Sequence, residues 1–144
     1  MKKLYFALLL IVSMFLAACS LDSPGSEKSD SEKGSTGSEG DYKIGLSVST
    51  LNNPFFVTLS DGAEAKAKEL GAAVTVVDAQ DNASKQASDV EDLIQQGVDL
   101  IIINPVDSQA VVSSVESANA ANIPVVTVDR SSEGGEIVAH IASD

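Results

Sequence analysis

The chain has 144 residues, a formal net charge of −12 and a single cysteine. That length holds one domain at most, and a lone cysteine excludes a disulfide framework. So acidic a chain repels phosphate backbones and anionic headgroups, which excludes nucleic-acid binding.

Met1-Lys2-Lys3 leads into the apolar run LYFALLLIVSMFLAA, interrupted only by Ser13, and then into Cys19. A basic start, an apolar centre and small residues before a cut site mark residues 1–18 as an export signal. The run is short for a spanning helix, which needs ~20 apolar residues. Leu16-Ala17-Ala18-Cys19 resembles a bacterial lipobox. That resemblance implies that Cys19 becomes the first mature residue and carries a diacylglyceryl group on its thiol. Two or more acyl chains anchor stably where one is marginal. The competing reading is an ordinary signal peptide cut nearby, with Cys19 incidental. Loss of Lys2 and Lys3 leaves 7 basic against 21 acidic residues, a charge of about −14.

Residues 19–41 follow as a tether. Between 20 and 40 Leu21 is the only large apolar side chain, and Ser, Gly, Glu and Lys dominate. Such a segment has nothing to bury and stays solvated.

From Tyr42 onward, over 42–144, the pattern becomes regular. Lys43–Ser49 reads as a strand, and Pro54–Leu70 as a helix with Pro54 in its first turn. Phe56, Leu59, Ala63, Ala67 and Leu70 recur at helical spacing, and Gly71 supplies a C-terminal cap. Ala73–Asp78 is a second strand. Ser84–Gln96 is a second helix, with Ala87, Val90, Leu93 and Ile94 on one face and Gly97 after it. Asp99–Asn104 (DLIIIN) is a continuous apolar strand of the kind buried on both faces. Asp107 or Ser108 caps a third helix, which turns Val111, Val115 and Ala118 inward and runs to about Asn122. Pro124–Asp129 is a fourth strand and Glu136–Ile141 a fifth.

Strands alternating with helices through short loops make βαβ units, and hence a doubly wound α/β domain with a parallel sheet and helices on both faces. Ligands of such sheets sit beyond the carboxyl ends of the strands. Those ends are Thr50–Phe56, Asp78–Asn82, Asn104–Asp107 and Asp129–Ser132.

Catalysis finds little support there. Neither G-x-G-x-x-G nor G-x-x-x-x-G-K-[ST] follows a strand, and no G-x-S-x-G elbow occurs. His140, the only histidine, lies inside the last strand and reads as structural. Glu64, Glu69, Glu91, Asp92 and Glu116 fall on polar helix faces. No spacing suggests a metal cluster, and no cofactor is implied.

What remains is a binding constellation. Asn53, Phe55 and Phe56 follow the first strand, and Asp129-Arg130 follow the fourth. Carboxylate and guanidinium groups match sugar hydroxyls, an amide both donates and accepts, and aromatic rings cover the C–H faces. Phe56 also begins the apolar stripe of its helix, so core packing alone accounts for that ring. For Phe55 it does not. The bland alternative for Asp129-Arg130 is a turn bearing a surface ion pair.

Four segments, STLNNPFF, DLIIINPVDS, NIPVVTVDR and HIASD, closely resemble in order and spacing the ribose-binding branch of the periplasmic-binding-protein family of ABC importers. The resemblance runs from Tyr42 to Asp144. It implies a two-lobed protein that closes on D-ribose at a hinge, of which this chain carries the first lobe. It also implies that Asn53, Phe55, Phe56, Asp129 and Arg130 contact the sugar. Further implied partners are ABC permease subunits, a membrane reached through lipid on Cys19, and a chemoreceptor for the closed form. The departure is length: a second lobe is expected and missing, so ribose should bind this chain poorly or not at all.

Other readings stay open at this point. Another small sugar (allose, xylose, galactose or a furanosyl signal) is the near alternative. The sensing core of a lac-repressor-type regulator shares the fold, but an export signal and strong negative charge count against it. A small α/β enzyme is the third. The long acidic tether favours the outer face of a Gram-positive-like membrane over a free periplasmic protein.

Overall fold

A computed structural model of the chain describes residues 42–142. The signal, Cys19 and the tether fall outside the described residues, as do Ser143 and Asp144. Five strands and three helices alternate: β1 (Tyr42–Val48), α1 (Pro54–Glu69), β2 (Ala72–Asp78), α2 (Ala83–Gln95), β3 (Leu100–Ile103), α3 (Val112–Ala120), β4 (Val125–Val128) and β5 (Ala139–Ile141). The strands form one sheet of order β2-β1-β3-β4-β5, and every pairing is parallel.

The order follows from the apolar pattern. Successive strand residues face opposite sides, so β1 and β3 feed two apolar layers. On one side Leu46 and Val48 pack with Phe56 of α1, flanked by Leu59, Ala63, Val76 and Ile102. On the other side Ile101, Ile103 and Val125 pack with Val90 and Leu93 of α2 and Val115 and Ala118 of α3. The chain therefore winds outward from β1 in both directions, with α1 on one face and α2 and α3 on the other. Between β1 and β3 the winding reverses. Such a switch point opens a crevice at the carboxyl edge.

The helix ends follow local chemistry. Asn53 accepts the N–H of Phe55 at 3.0 Å and Pro54 occupies the first turn of α1; Asn82 accepts the N–H of Lys85 at 2.9 Å to start α2. Gly71 and Gly97 take φ values of 75° and 67° just past α1 and α2, where a side chain would be strained.

Three details depart from the sequence pattern. Leu70 belongs to the end of α1, not to its buried stripe, and is 70% exposed. α3 begins at Val112, although Asp107 does bind the chain ahead of it. The last strand is shorter than Glu136–Ile141, because Asn119 captures both backbone groups of Glu136 and keeps that residue off the ladder. Its amide donates to the Glu136 carbonyl at 3.0 Å and its oxygen accepts the Glu136 N–H at 2.8 Å.

Gly45 of β1 lies against α2, and a Cβ built there would meet Leu93 Cδ1 at 2.8 Å. Leu93 is fully buried, so it has nowhere to swing. Gly45→Ala should lower stability by about 1–3 kcal/mol, measured as a fall in the urea midpoint. An unchanged midpoint would show that Leu93 repacks.

Candidate functional site

The carboxyl ends of β1, β3 and β4 meet over a buried polar junction. Asn104, just past β3, is 1% exposed. Its Oδ1 accepts the N–H of Ser49 at 3.1 Å, beyond β1. Its Nδ2 donates to the Val128 carbonyl at 3.2 Å, at the end of β4, and to Asp129 Oδ2 at 3.4 Å. One side chain thus ties three strands together.

Gln86, 2% exposed, supports the junction from α2. Its Nε2 donates to the Asn104 carbonyl at 2.9 Å and to Ser47 Oγ at 3.2 Å, and its Oε1 accepts the Val106 N–H at 2.8 Å. Among the described residues no buried side-chain polar atom lacks a partner. A polar network that is fully satisfied rigidifies what it joins.

Asp129 turns the chain at the end of β4. Its φ is 62°, a left-handed conformation that Asp tolerates better than most residues. Its N–H reaches the Ile141 carbonyl at 2.8 Å, and the Arg130 N–H folds back to Val128 at 2.7 Å. The Arg130 guanidinium donates to the carbonyls of Pro105 and Val106, in the loop after β3.

Beside this junction lies a hollow of about 220 Å³, lined by Phe55, Leu59, Val128, Asp129, Ile141 and Ala142. Its walls are mostly apolar, and Asp129 adds one exposed carboxylate. Such a mixture suits a ligand that has both C–H faces and hydroxyls.

Of the residues singled out in the sequence, the hollow brings Phe55 and Asp129 together. The adjacent phenylalanines divide. Phe55 is 51% exposed and lines the hollow, whereas Phe56 is 8% exposed and belongs to the Leu46–Val48 core. Their rings meet edge to face with centroids 5.2 Å apart, so the buried ring props the exposed one. Asn53 caps α1 through its oxygen, and Arg130 reaches toward the β3 loop; neither lines the hollow.

Sequence reasoning passed over Gln86, Asn104 and His140's partner. Gln86 stands where the buried stripe Val90–Leu93 of α2 would call for an apolar residue, a legible signal. Asn104 closes the DLIII run. His140 Nδ1 lies 2.9 Å from the Oγ1 of buried Thr127, a tie between β4 and β5.

The loop after β3 carries one perturbed carboxyl. The N–H groups of Ala110 and then Gln109 hold Asp107 below its ordinary range, with a smaller contribution from Arg130.

The periplasmic binding protein domain family matches residues 44–144. Over its whole length the chain is 53% identical to the ribose import binding protein RbsB of Bacillus subtilis, of which it spans 46%. Over 101 residues, 70% of this chain, it is 54% identical to the ribose import binding protein RbsB of Escherichia coli, covering 34% of that protein. Among solved structures it is similar to the Caulobacter myo-inositol binding protein bound to myo-inositol. The TM-score is 0.67 at 36% identity, over 71% of this chain and 35% of that one. The chain therefore spans less than half the length of these relatives.

The Asp107 cap should make stability depend on acid. Its folded carboxyl titrates below the unfolded value of 3.8. Its contribution is therefore present above that value and is lost as the pH falls through the lowered one. Asp107→Asn keeps an acceptor but cannot titrate. The native chain's advantage in urea midpoint over this variant should shrink below about pH 4.

Proposed function

This chain belongs to the periplasmic binding protein domain family, and we propose that its protein captures D-ribose outside the cell for an ABC importer. The observation that carries the reading is the hollow between the start of α1 and the carboxyl ends of β4 and β5, lined by an exposed phenyl ring and a carboxylate. The 53% identity with a ribose import binding protein supports ribose over allose, xylose, galactose or a furanosyl signal. Phe55 covers the apolar face of the ring, while Asp129 accepts from hydroxyls. Arg130 and Asn53, which stand outside the hollow, are assigned to hydroxyls that project beyond it, and Phe56 acts from behind as the support of Phe55. The protein hands sugar on without chemistry; its partners are permease subunits, and a chemoreceptor for the closed form.

The same proposal includes an anchor. Export by residues 1–18 and lipid on Cys19 would hold the domain on the outer face of the membrane, with 19–41 as tether.

An open hollow touches only one side of a ligand, so affinity for the 144-residue chain should be weak, with a Kd of about 1 mM or higher. Adding D-ribose to the isotope-labelled chain should shift the amide signals of Asn53, Phe55, Phe56 and Asp129–Ser131, and Phe55→Ala should abolish the response. Shifts confined to other regions would refute the site. Micromolar binding would refute the view that one wall supplies only part of the contacts.

Metabolic labelling with an alkyne fatty acid tests the anchor separately. The native precursor should take up label and sediment with membranes, and Cys19→Ser should do neither. Equal labelling of both would remove Cys19 from the proposal.

A further inference from the structure

We propose that Asn104 and Gln86 are positioning residues for sugar recognition, setting Asp129 and Arg130 without touching the ligand. The inference rests on the sugar-binding reading for its purpose, but its geometry stands independently. Both side chains are almost wholly buried and neither lines the hollow. Asn104 reaches Asp129 directly, and Gln86 holds the loop that receives the Arg130 guanidinium.

The chain of contacts has two branches. In the first, Asn104 Nδ2 holds the Val128 carbonyl and the Asp129 carboxylate together. Asp129 is already confined by its left-handed φ and by its N–H bond to Ile141. With the backbone fixed, the remaining freedom lies in χ1 and χ2, and the Asn104 amide, 3.4 Å from Oδ2, biases them. The carboxylate keeps its other oxygen for a sugar hydroxyl.

In the second branch, Gln86 clamps the segment after β3 from both sides, binding the Asn104 carbonyl and the Val106 N–H. That clamp orients the carbonyls of Pro105 and Val106, which receive the Arg130 guanidinium. A guanidinium with some N–H groups held this way presents the others in a fixed plane. Since Gln86 also holds Ser47 at the end of β1, one α2 side chain spans the switch point. Preorganised polar groups lose less freedom on binding.

The test uses the 144-residue chain and two substitutions. Asn104→Asp keeps the acceptor for Ser49 but replaces the donor to Asp129 with a second carboxylate. Gln86→Met keeps the length of the side chain and removes its hydrogen bonds. Thermal melting first establishes folding. Nitrogen NMR of the Arg130 guanidinium then reports hindered rotation, a signature of anchoring that a merely stabilising residue would not set.

Gln86→Met should collapse the separate Arg130 Nη signals. Asn104→Asp should weaken D-ribose binding about tenfold, because a like charge beside Asp129 displaces its carboxylate, while Phe55 still responds. Unchanged Arg130 signals in folded Gln86→Met, or native affinity in folded Asn104→Asp, would overturn the corresponding branch. Should Gln86→Met not fold, Gln86→Glu, which keeps the acceptor for the Val106 N–H and loses the donor to the Asn104 carbonyl, tests the second branch by the same signals. Should the native chain show no ribose response, the sugar reading fails, whereas the guanidinium signals and the Asp129 side-chain carbonyl shift still decide positioning.

Discussion

The Asn104 carboxamide, cut off from water, divides its two functions among three strand ends. Its oxygen holds backbone after β1 and its nitrogen holds backbone at the end of β4. Replacing it with an apolar residue would strand the buried Ser49 N–H, at a cost of about 1–3 kcal/mol, and would leave the Val128 carbonyl with the Arg130 N–H alone. The register of the carboxyl edge therefore depends on a polar group where a purely apolar core would tolerate sliding. Gln86 extends the same constraint to the following loop.

The surface features at that edge are consequences. Asp129 can sit at φ 62° because its neighbours fix the turn on both sides. Phe55 can remain half exposed because Phe56 behind it is packed against Leu46 and Val48. An exposed ring without such backing would fold down onto the sheet to shed water. Asp78 adds a further tie, accepting from the N–H groups of Leu51 and Gln80, which holds the end of β2 to the loop after β1.

Much of the fold was legible because periodicity reports burial directly. The DLIIIN run marked a doubly covered strand, and the Val90–Leu93 spacing marked the face of α2 that meets it. Legibility stopped where one side chain substitutes for backbone. Asn119 shortens β5 by imitating a neighbouring strand for Glu136, and no local pattern announces that pairing. For the site, the sequence located Phe55 and Asp129 just past the first and fourth strands but could not apportion exposure between two adjacent phenylalanines. Helical phase placed Phe56 inward; only the packing shows that Phe55 is propped rather than free. Gln86 was readable as a polar residue in an apolar stripe, yet its partners are 39 and 18 residues away.

Under the sugar-binding proposal, the geometry of the hollow also sets what selectivity this wall can impose. Stacking on Phe55 is tolerant, because every pyranose and furanose offers some apolar face. Discrimination must come from the fixed polar groups, since a buried carboxylate left without its hydroxyl costs more than a missing methylene. Asp129 is exposed, so in the open hollow water can replace a missing hydroxyl at little cost. Only when a second surface excludes that water does the mismatch carry its full penalty. A second surface closing over the hollow would therefore raise affinity and selectivity together. The rigid junction beneath Asp129 is what keeps the carboxylate from shifting to suit the wrong sugar.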